Sequence, residues 1–386
     1  MYNVLWLASW YPNKTDPFTG DFIERHAAAV SSFVKLTVLF IVKDETLDIG
    51  KIVFEKTIEK NVTVYRVYYG TTSANKILEK IGSFKRFRQL QKYYYKQIVE
   101  EQGKPDLVHV HVAMRAGLLA RYLKKKFNTR YVVTEHWSGY FKESTPNVFT
   151  GNLLLNRLNK KILQKADLLF PVTENLGFII NNDFVPVKYQ VIPNVVDTGL
   201  FFHCPSRPGR FRFIHPSMMN ENKNPKGILQ ACALVKSKGY DFELLMVGNL
   251  DKILIDLTDR LELNANIVFQ QAIPYAEVAR EMQHSSALIL FSYFESLPCV
   301  ILEALCCGLP VISSRVGGIS EVVNESNGIL IERGNIEQLA QAMCIMMKKY
   351  TTYNGNNISE WAIGKFNYDT VGTEYVAAYQ KLLQLV

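Results

Sequence analysis

The stretch ALILFSYFESLPCVILEALCCGLPVISSRVGG, residues 287–318, places a strand, a loop, a helix and a second strand in direct succession. Apolar runs at Ala287–Phe291 and Pro310–Ser313 predict the two strands. Between them, Pro298 falls in the first helical turn, where its missing N–H costs no hydrogen bond, and Gly308 ends the helix. This order of elements predicts a parallel sheet with helices packed on its faces.

The same alternation of short strands and helices runs along the whole chain, and it occurs twice. The predicted strands are Val4–Ala8, Leu36–Ile41, Val62–Tyr69, Leu107–Val112, Tyr131–Thr134 and Leu168–Val172, then Phe211–His215, Phe242–Val247 and Ile267–Phe269 before the two above. The predicted helices include Asp21–Phe33, Ser73–Glu101, Ala113–Phe127, Gly151–Lys165 and Lys226–Lys238. The two series meet near residues 186–200, so we expect an α/β protein of two doubly wound domains.

Length and composition agree with two globular domains. The chain has 386 residues, of which 48% are hydrophobic and 21% charged. A single core rarely grows beyond roughly 250–300 residues. The net charge of +8 is compatible with phosphorylated or acidic substrates, nucleic acid, an anionic membrane surface, or simply a mildly basic enzyme.

The cysteines and the N-terminal sequence favour a cytoplasmic protein. None of the six cysteines forms a C-x-x-C pair, which is typical of buried free thiols in a reducing compartment. The opening MYNVLWLASWYP has no basic region and predicts a first strand instead of a signal peptide. No apolar stretch reaches the roughly 18 residues that a membrane span needs.

Two carboxylates flank the start of the helix in the opening stretch. Glu295 lies in the loop after the strand, and Ser296 is expected to cap the helix. Glu303 follows seven residues later, on the same helical face and about 10 Å further along. A diphosphate bound at the helix N-terminus would place its ribose near Glu303. The alternatives are a solvent-facing Glu303 and a Glu295 that only complements the helix dipole.

A wider resemblance supports the ligand interpretation. The stretch FESLPCVILEALCCGLPVISSRVGGISEVV resembles the signature of retaining, nucleotide-sugar-dependent glycosyltransferases of family 4, which have the GT-B fold. Further matching stretches, in family order, are SWYPNKTDPFTGDFIERHAAAV, PDLVHVHVAMRAG, VVTEHWSGY, VIPNVVD, KNPKGILQACALV and ELLMVGN. The resemblance implies two Rossmann-like domains facing across a cleft: an acceptor-side domain at 1–190, a donor-binding domain at 191–368, and a C-terminal helix at 369–386 that returns to the first domain.

The resemblance also implies roles for residues of the second domain. Glu295 would contact the donor sugar near the reacting centre, and Glu303 would bind the ribose hydroxyls. Ser296, Leu297 and Pro298 would form the turn around the donor diphosphate and sugar. Stabilising the negative charge that develops on the leaving nucleoside diphosphate is the main catalytic task in such a reaction.

Relatives clamp the diphosphate with an arginine and a lysine, and this chain matches only one of the two. In HPSMMNENKNPKG, Lys223 stands at the lysine position, and Met218 stands at the arginine position. Charge neutralisation would then depend on Lys223, helix N-termini and a nearby basic group such as Lys226. On spacing alone, a solvated surface lysine is the favoured interpretation of Lys223.

Two residues of the first domain are donor-site candidates by the same resemblance. Gly20 would face the donor diphosphate, although Asp21 replaces the second glycine of the family's usual pair. His136 would lie near the donor sugar and the acceptor. The plainer interpretations are a loop glycine and a hydrogen-bonded cleft histidine. His109 and His111 share one face of a strand, where a buried structural role is favoured over a metal site.

The resemblance further implies a metal-independent reaction without a cofactor. No D-x-D pair occurs, which is the metal-binding motif of the other major glycosyltransferase fold. Retention at the anomeric carbon would proceed by front-face attack, with the departing phosphate oxygen helping to deprotonate the acceptor. Cleft closure would exclude water.

A basic, aromatic segment at 75–97, together with lysines 124–126, suggests an additional surface contact. Its residues, NKILEKIGSFKRFRQLQKYYYKQ, suit peripheral docking on the inner face of an anionic membrane. The alternative is an amphipathic helix that covers the sheet with a solvated basic face. No recognised module supports nucleic-acid binding.

The sequence therefore predicts a retaining glycosyltransferase that moves a sugar from a UDP- or GDP-type donor to a glycan or lipid-linked saccharide, in surface polysaccharide synthesis. Two alternatives stay open. One is a non-catalytic sugar-nucleotide-binding or scaffold protein on the same fold, suggested by Met218. The other is an epimerase or a phosphorylase of the GT-B fold.

Overall fold

A computed structural model describes residues 1–71, 76–205 and 209–384, without the side chains of 76–78. The chain forms two compact units, Met1–Val195 with Tyr368–Val386 and Val196–Asn367. The chain therefore leaves the first unit once and ends in it.

The first unit is built on a seven-stranded sheet in the order β3-β4-β2-β1-β5-β6-β7. Its strands are β1 (Asn3–Ala8), β2 (Lys35–Lys43), β3 (Ile52–Glu59), β4 (Val62–Tyr69), β5 (Leu107–His111), β6 (Tyr131–Glu135) and β7 (Leu168–Pro171). Its helices are α1 (Asp21–Ser31), α2 (Lys76–Gln102), α3 (Gly117–Phe127), α4 (Leu153–Lys165), α5 (Glu174–Ile179) and, at the chain end, α12 (Tyr368–Gln384). All neighbouring strands are parallel except the antiparallel pair β3–β4.

The predicted strands of this unit are all present, whereas β3 was not predicted. β3 is an edge strand with mostly exposed or half-buried residues and many polar side chains, so it lacks the apolar run that marks the inner strands. The first three residues of the predicted helix Ser73–Glu101 lie outside the described residues, and α2 is described from Lys76 onward.

Helix α12 packs closely on α1. The two helices meet at Gly372, where an added Cβ would lie 2.3 Å from the carbonyl oxygen of Ala29. Val371, Tyr375 and Tyr379 of α12 are buried in the same apolar cluster as β1 and β2. The C-terminal helix is therefore part of the core of the first unit.

The second unit is built on a six-stranded parallel sheet in the order β10-β9-β8-β11-β12-β13. Its strands are β8 (Arg212–Ser217), β9 (Glu243–Gly248), β10 (Ile267–Gln270), β11 (Ala287–Leu290), β12 (Val311–Ser314) and β13 (Gly328–Ile331). Its helices are α6 (Pro225–Ser237), α7 (Lys252–Arg260), α8 (Tyr275–Gln283), α9 (Cys299–Cys306), α10 (Ile336–Lys349) and α11 (Gly355–Phe366). Together the two units confirm the predicted α/β fold with two doubly wound sheets.

Parallel strands bring the loops of the opening stretch to one edge of the second sheet. The loop after β11 and the loop after β12 both leave the carboxyl ends of neighbouring strands, which pair from Leu288↔Val311 to Leu290↔Ser313. The turn after β8 lies at the same edge, since β8 also pairs with β11. Ligands of doubly wound sheets bind at this edge.

The structure also bears on the cysteines and on membrane spans. All six cysteines are free thiols, and four of them are buried. Within the described ranges, no helix has both the length and the apolar composition to cross a lipid bilayer.

Candidate functional site

Helix α9 carries Glu303 in a nearly buried position. Only 5% of Glu303 is exposed, and its Oε1 accepts a hydrogen bond of 2.7 Å from the hydroxyl of Tyr275, the first residue of α8. Gly308, with a φ of 71°, follows the helix end as predicted. Glu303 is therefore not a solvent-facing helix carboxylate, and the Tyr275 hydroxyl fixes its orientation.

The predicted capping role of Ser296 is wrong. Helix α9 begins at Cys299, its N-cap is Pro298, and no side chain caps it. The hydroxyl of Ser296 is instead buried without a hydrogen-bond partner, and the same holds for Ser292 and Ser314. Buried polar groups normally have partners. Three unsatisfied hydroxyls at one sheet edge therefore indicate a site that hydrogen-bonds to a ligand or to water.

The loops after β11 and β12 are joined at Ser296. Its carbonyl oxygen accepts a 3.0 Å hydrogen bond from the N–H of Gly318. Leu297 is buried, and Pro298 has extended backbone before the helix. The structure thus places Ser296, Leu297 and Pro298 in a fixed turn directly before α9.

Lys223 and Glu295 are brought together as an ion pair. Lys223 ends the short helical turn after β8, and its Nζ contacts Oε1 of Glu295 in the loop after β11. The side chains are only 19% and 12% exposed, respectively. The structure therefore does not support a solvated surface lysine at position 223.

Asn222 links the same two loops, and sequence analysis missed it. Its side-chain amide donates to the carbonyl oxygen of Phe294 and accepts from the N–H of Phe294, at 3.0 and 3.1 Å. The backbone carbonyl oxygen of Asn222 accepts a hydrogen bond from the N–H of Tyr293 at 2.9 Å. Asn222 thus acts like a strand partner for the loop that presents Glu295.

The position that the resemblance assigns to an arginine is exposed, and so are the candidate cation Lys226 and a further basic residue, Arg315. Met218 is 57% exposed and lies next to Met219, whose φ of 53° is rare for this residue type. Lys226, in the first turn of α6, and Arg315, directly after β12, are also exposed. Within the second unit, the structure gathers Lys223, Glu295, the Ser296 turn and Glu303 at one edge, and Met218 stays at the surface.

In the first unit, the backbone conformation and the close packing at position 20 both require a glycine. Gly20 is the N-cap of α1 with a φ of 70°, and a Cβ there would lie 2.5 Å from the carbonyl carbon of Trp10. Asp21 follows at the first helical position and pairs with Arg25 at 2.8 Å. A carboxylate therefore stands at the N-terminus of α1, at the position where the resemblance implies a second glycine.

His136 directly follows β6 and is buried near the start of α1. Its Nδ1 lies 3.1 Å from Oδ1 of Asn194, and its ring centroid is 4.7 Å from that of Phe22. Burial holds the pKa of His136 well below its usual value near 6.5. Nε2 is buried without a partner, so the neutral ring keeps one nitrogen available for a ligand hydroxyl.

His136 belongs to a buried cluster of four histidines with His26, His109 and His111, which sequence analysis did not foresee as a group. The rings of His111 and His136 stack at 5.9 Å, and those of His109 and His111 lie 4.2 Å apart. Burial lowers the pKa of His26 to about 4 and keeps those of the other three well below 6.5. The cluster is therefore neutral at pH 7.

The two histidines of β5 differ in their hydrogen bonding. His109 is bonded on both sides, with Nδ1 at 2.5 Å from the Tyr379 hydroxyl and Nε2 at 2.7 Å from Oγ1 of Thr134. Neither ring nitrogen of His111 has a partner. In the part of the chain that the structure describes, no group of three His, Cys, Asp or Glu side chains is arranged to hold a metal ion.

Glu135, the last residue of β6, is a further residue that the sequence analysis missed. It is fully buried and bonded to the loops after β5 and β6. Its position directly before His136 was the only available signal, since one buried acid in a strand has no periodic pattern.

Two family models match consecutive parts of the chain. The model described as Glycosyltransferase Family 4 matches residues 58–200, and the model described as Glycosyl transferases group 1 matches residues 201–356. A curated relative, the putative teichuronic acid biosynthesis glycosyltransferase TuaC of Bacillus subtilis, is 23% identical over 97% of this chain and 95% of its own length.

Solved structures share the fold over the whole chain. Sucrose-phosphate synthase from Thermosynechococcus elongatus superposes with a TM-score of 0.79 at 16% identity, covering all of both chains. Anabaena Alr3699/HepE in complex with UDP-glucose superposes with a TM-score of 0.72 at 16% identity, covering 99% of this chain and all of that one. This chain therefore belongs to the glycosyltransferases that the family 4 and group 1 models describe, with the GT-B fold predicted from its sequence.

Proposed function

We propose that this glycosyltransferase is a retaining enzyme that takes its sugar from a nucleoside-diphosphate donor of the UDP or GDP type. The observation that carries the proposal is the nearly buried Glu303, held by the Tyr275 hydroxyl on a helix that starts at the Ser296 turn. A carboxylate in this setting accepts hydrogen bonds from two ribose hydroxyls. The similar HepE structure holds UDP-glucose, which supports a donor of this class.

The candidate site residues of the second unit each have a role in this proposal. The positive end of α9 and the Ser296, Leu297 and Pro298 turn bind the donor diphosphate. Glu295 and its partner Lys223 lie beside that turn. On donor binding, the Lys223 ammonium neutralises phosphate charge, and the Glu295 carboxylate contacts a sugar hydroxyl.

The assignments in the first unit depend on the family resemblance. Gly20 is assigned to the donor diphosphate and His136 to the donor sugar and acceptor. The unpartnered Nε2 of His136 supports a hydroxyl contact. The φ of 70° at Gly20 lies in the left-handed region that favours glycine, so the backbone requires a glycine there with or without a ligand.

In the proposed reaction, the bond from the anomeric carbon to the diphosphate oxygen breaks, and the acceptor oxygen bonds to the same face of that carbon. The acceptor proton moves to the departing phosphate oxygen, so charge and atoms balance without an enzymic nucleophile. Transfer is proposed to be metal-independent, because the chain has no D-x-D motif, and to need no cofactor besides the donor.

We propose a glycan or lipid-linked saccharide in surface polysaccharide synthesis as the acceptor. The name of the related TuaC protein places it in teichuronic acid biosynthesis, which supports this acceptor class. The competing proposal is a non-catalytic sugar-nucleotide-binding protein, favoured by the exposed Met218 at the arginine position.

Donor panels separate these proposals. UDP, GDP and their hexose and N-acetylhexosamine conjugates are compared by thermal shift, because a ligand that binds only the folded state raises its apparent stability. Release of nucleoside diphosphate is then measured with and without saccharide acceptors. Transfer predicts acceptor-dependent release that Glu295→Ala abolishes and that Glu337→Ala, at an exposed glutamate on α10, leaves intact. Binding without release would favour the non-catalytic protein.

Peripheral membrane docking is proposed for a basic surface made by α2 and α3. Lys85, Arg88 and Lys92 are exposed on α2, and Tyr93 is 56% exposed beside them. The Nζ of Lys92 lies 4.5 Å from the ring centroid of Tyr122 on α3, which makes the two helices one surface. Such a surface attracts anionic headgroups by roughly 1 kcal/mol per basic residue.

Vesicle flotation tests the docking proposal. The protein is mixed with phosphatidylcholine vesicles that contain or lack phosphatidylglycerol. Docking predicts flotation only with the anionic lipid, and its loss in Lys85→Glu/Arg88→Glu. Equal flotation of the charge-reversed variant would rule out this surface.

A further inference from the structure

Glu135 has the contacts of an ionised carboxylate although it is fully buried. Its Oε1 accepts from the backbone N–H groups of His136 and Trp137, at 3.2 and 3.1 Å. Its Oε2 accepts from the N–H of Ala113 and from the hydroxyl of Tyr140, both at 3.1 Å. None of these four donors is charged, so hydrogen bonds alone compensate the buried carboxylate.

These four bonds join two loops at the carboxyl edge of the first sheet. Ala113 lies after β5, directly behind Val112, which has a φ of 63° that is strained for a β-branched residue. His136, Trp137 and Tyr140 lie after β6. One carboxylate therefore holds both the strained turn after β5 and the short helical turn after β6 in place.

The same contacts fix His136 from the main-chain side. Its N–H is bonded to Glu135, while Nδ1 of its ring lies 3.1 Å from Oδ1 of Asn194. Because the backbone N–H and the ring Nδ1 of His136 are both fixed, the orientation of the unpartnered Nε2 is also fixed. Small displacements of such a group are costly, because catalytic hydrogen bonds depend on sub-ångström placement.

Protonation of Glu135 would remove one of the four acceptor positions. A proton on Oε2 faces either the N–H of Ala113 or the hydroxyl of Tyr140. The Tyr140 hydroxyl can rotate to accept it, but the Ala113 N–H cannot. Burial raises the pKa of Glu135 to about 7. The carboxylate and its protonated form are therefore both populated near neutral pH.

Other titratable groups around Glu135 do not change charge in this range. Burial keeps the pKa values of His136 and of His111, stacked on it, well below 6.5, and keeps that of Tyr140 well above 10. Arg115, on the turn after β5, is exposed. A single titration near pH 7 in this part of the site would thus belong to Glu135.

We propose that Glu135 is a positioning residue that, as a carboxylate, locks the loops after β5 and β6 and so aims His136 for the transfer reaction. The inference depends on the proposed function, since it assigns Glu135 a role through His136 in sugar transfer. It predicts that transfer is faster with ionised than with protonated Glu135. Glutamine in its place is neutral at every pH, as the protonated form is, and it also sets an amide N–H against the N–H of Ala113.

The test compares Glu135→Gln with the wild type over pH 5.5 to 9. We expect about a tenfold lower kcat for Glu135→Gln above pH 7.5, with little change in the donor KM, and the loss of an activity increase centred near pH 7. Asp167→Asn is the matched control, because Asp167 also accepts a backbone N–H, that of Tyr131, but at the opposite edge of the same sheet. Its pH profile should equal that of the wild type.

A double-mutant cycle with His136→Ala decides whether Glu135 acts through His136. If it does, Glu135→Gln lowers kcat little further in the His136→Ala background, because coupled residues are not additive. Additive losses, or an unchanged pH profile in Glu135→Gln, would overturn the inference while wild-type transfer stands. If the wild type shows no transfer with any donor and acceptor, the proposed function fails instead.

Discussion

The ammonium of Lys223 pairs with the carboxylate of Glu295 across 72 residues of sequence, so the loops after β8 and β11 share one ion pair. Both groups are candidate donor contacts, and their side chains are only 19% and 12% exposed. A bound diphosphate would have to attract Lys223 without breaking the fold of the Glu295 loop. Asn222, which bonds to Phe294 on both sides, keeps that loop in place while the pair rearranges.

Removing Lys223 is expected to cost stability as well as activity. In Lys223→Met, the carboxylate of Glu295 loses its cationic partner in a mostly buried site, which costs about 1–3 kcal/mol in free energy of unfolding. Urea unfolding of each variant measures the loss. Lys226→Met, at an exposed lysine of α6, is the control and should stay within about 0.5 kcal/mol of the wild type. Equal midpoints for both variants would contradict a structural role of the pair.

Five of the six strands of the second sheet, β8 to β12, were predicted from local apolar runs, whereas the edge strand β13 (Gly328–Ile331) was not predicted. The apolar runs of β11 and β12 are short, and Gly308 follows the helix end as predicted, but Pro298 is the N-cap of α9 and does not lie in its first turn as predicted. The capping prediction for Ser296 failed because a proline N-cap allows the loop to run on to Pro298 before α9 begins. Spacing alone does not say how many residues a loop uses before its helix.

The residues that sequence analysis missed depend on contacts between distant parts of the chain. The histidine cluster forms because β5, which carries His109 and His111, pairs with β6, which leads into His136, and because α1 brings His26 to that face. Nε2 of His26 lies 3.2 Å from the carbonyl oxygen of Pro193, 167 residues away. No local pattern encodes strand order, so the cluster could not be derived from periodicity.

Gly20→Ala is expected to destabilise the first unit through two separate effects. The φ of 70° is unfavourable for alanine, and the added Cβ would lie 2.5 Å from the backbone of Trp10. Gly239→Ala isolates the first effect, because Gly239 has a φ of 79° with open space around it. We expect Gly239→Ala to cost about 1 kcal/mol and Gly20→Ala clearly more, by thermal unfolding of each variant. Equal losses would show that the loop before α1 moves to accept the methyl group.

The first unit is expected to lose stability in acid because its histidines are buried in their neutral form. Their pKa values are lowered in the folded state, to about 4 for His26, so between pH 6.5 and 4 the unfolded chain binds more protons than the folded one. Each such histidine lowers the free energy of unfolding by about 1.4 kcal/mol per pH unit as the pH falls through this range. The pKa of Glu135 is raised to about 7, so at this residue the folded chain binds more protons than the unfolded one. As the pH falls, Glu135 therefore adds to the free energy of unfolding and offsets the loss from about one histidine.

Urea midpoints at pH 7.5, 6 and 5 measure this slope. His111→Phe removes one titrating group, at a position whose ring nitrogens have no hydrogen-bond partners. It should therefore reduce the change in the free energy of unfolding by about 1.4 kcal/mol per pH unit, which corresponds to one proton. Glu135→Gln should steepen the slope, because it removes the opposing group. A midpoint that does not change between pH 7.5 and 5 would show that the histidines titrate normally and are hydrated.

Met218→Arg is expected to strengthen donor binding by supplying the cation that the family resemblance implies at this position. Met218 is 57% exposed, so an arginine there needs no buried space and costs little stability. An exposed contact to a phosphate is worth up to about 1 kcal/mol, which corresponds to roughly fivefold tighter binding of UDP or GDP at low salt. Titration calorimetry measures the affinity, and Met218→Gln separates the charge from the change in side-chain shape. The gain should disappear at high ionic strength.

If Met218→Arg binds UDP or GDP no more tightly than Met218→Gln does, the diphosphate does not lie beside position 218. Lys223 and the α9 N-terminus would then have to neutralise the diphosphate without help from that position.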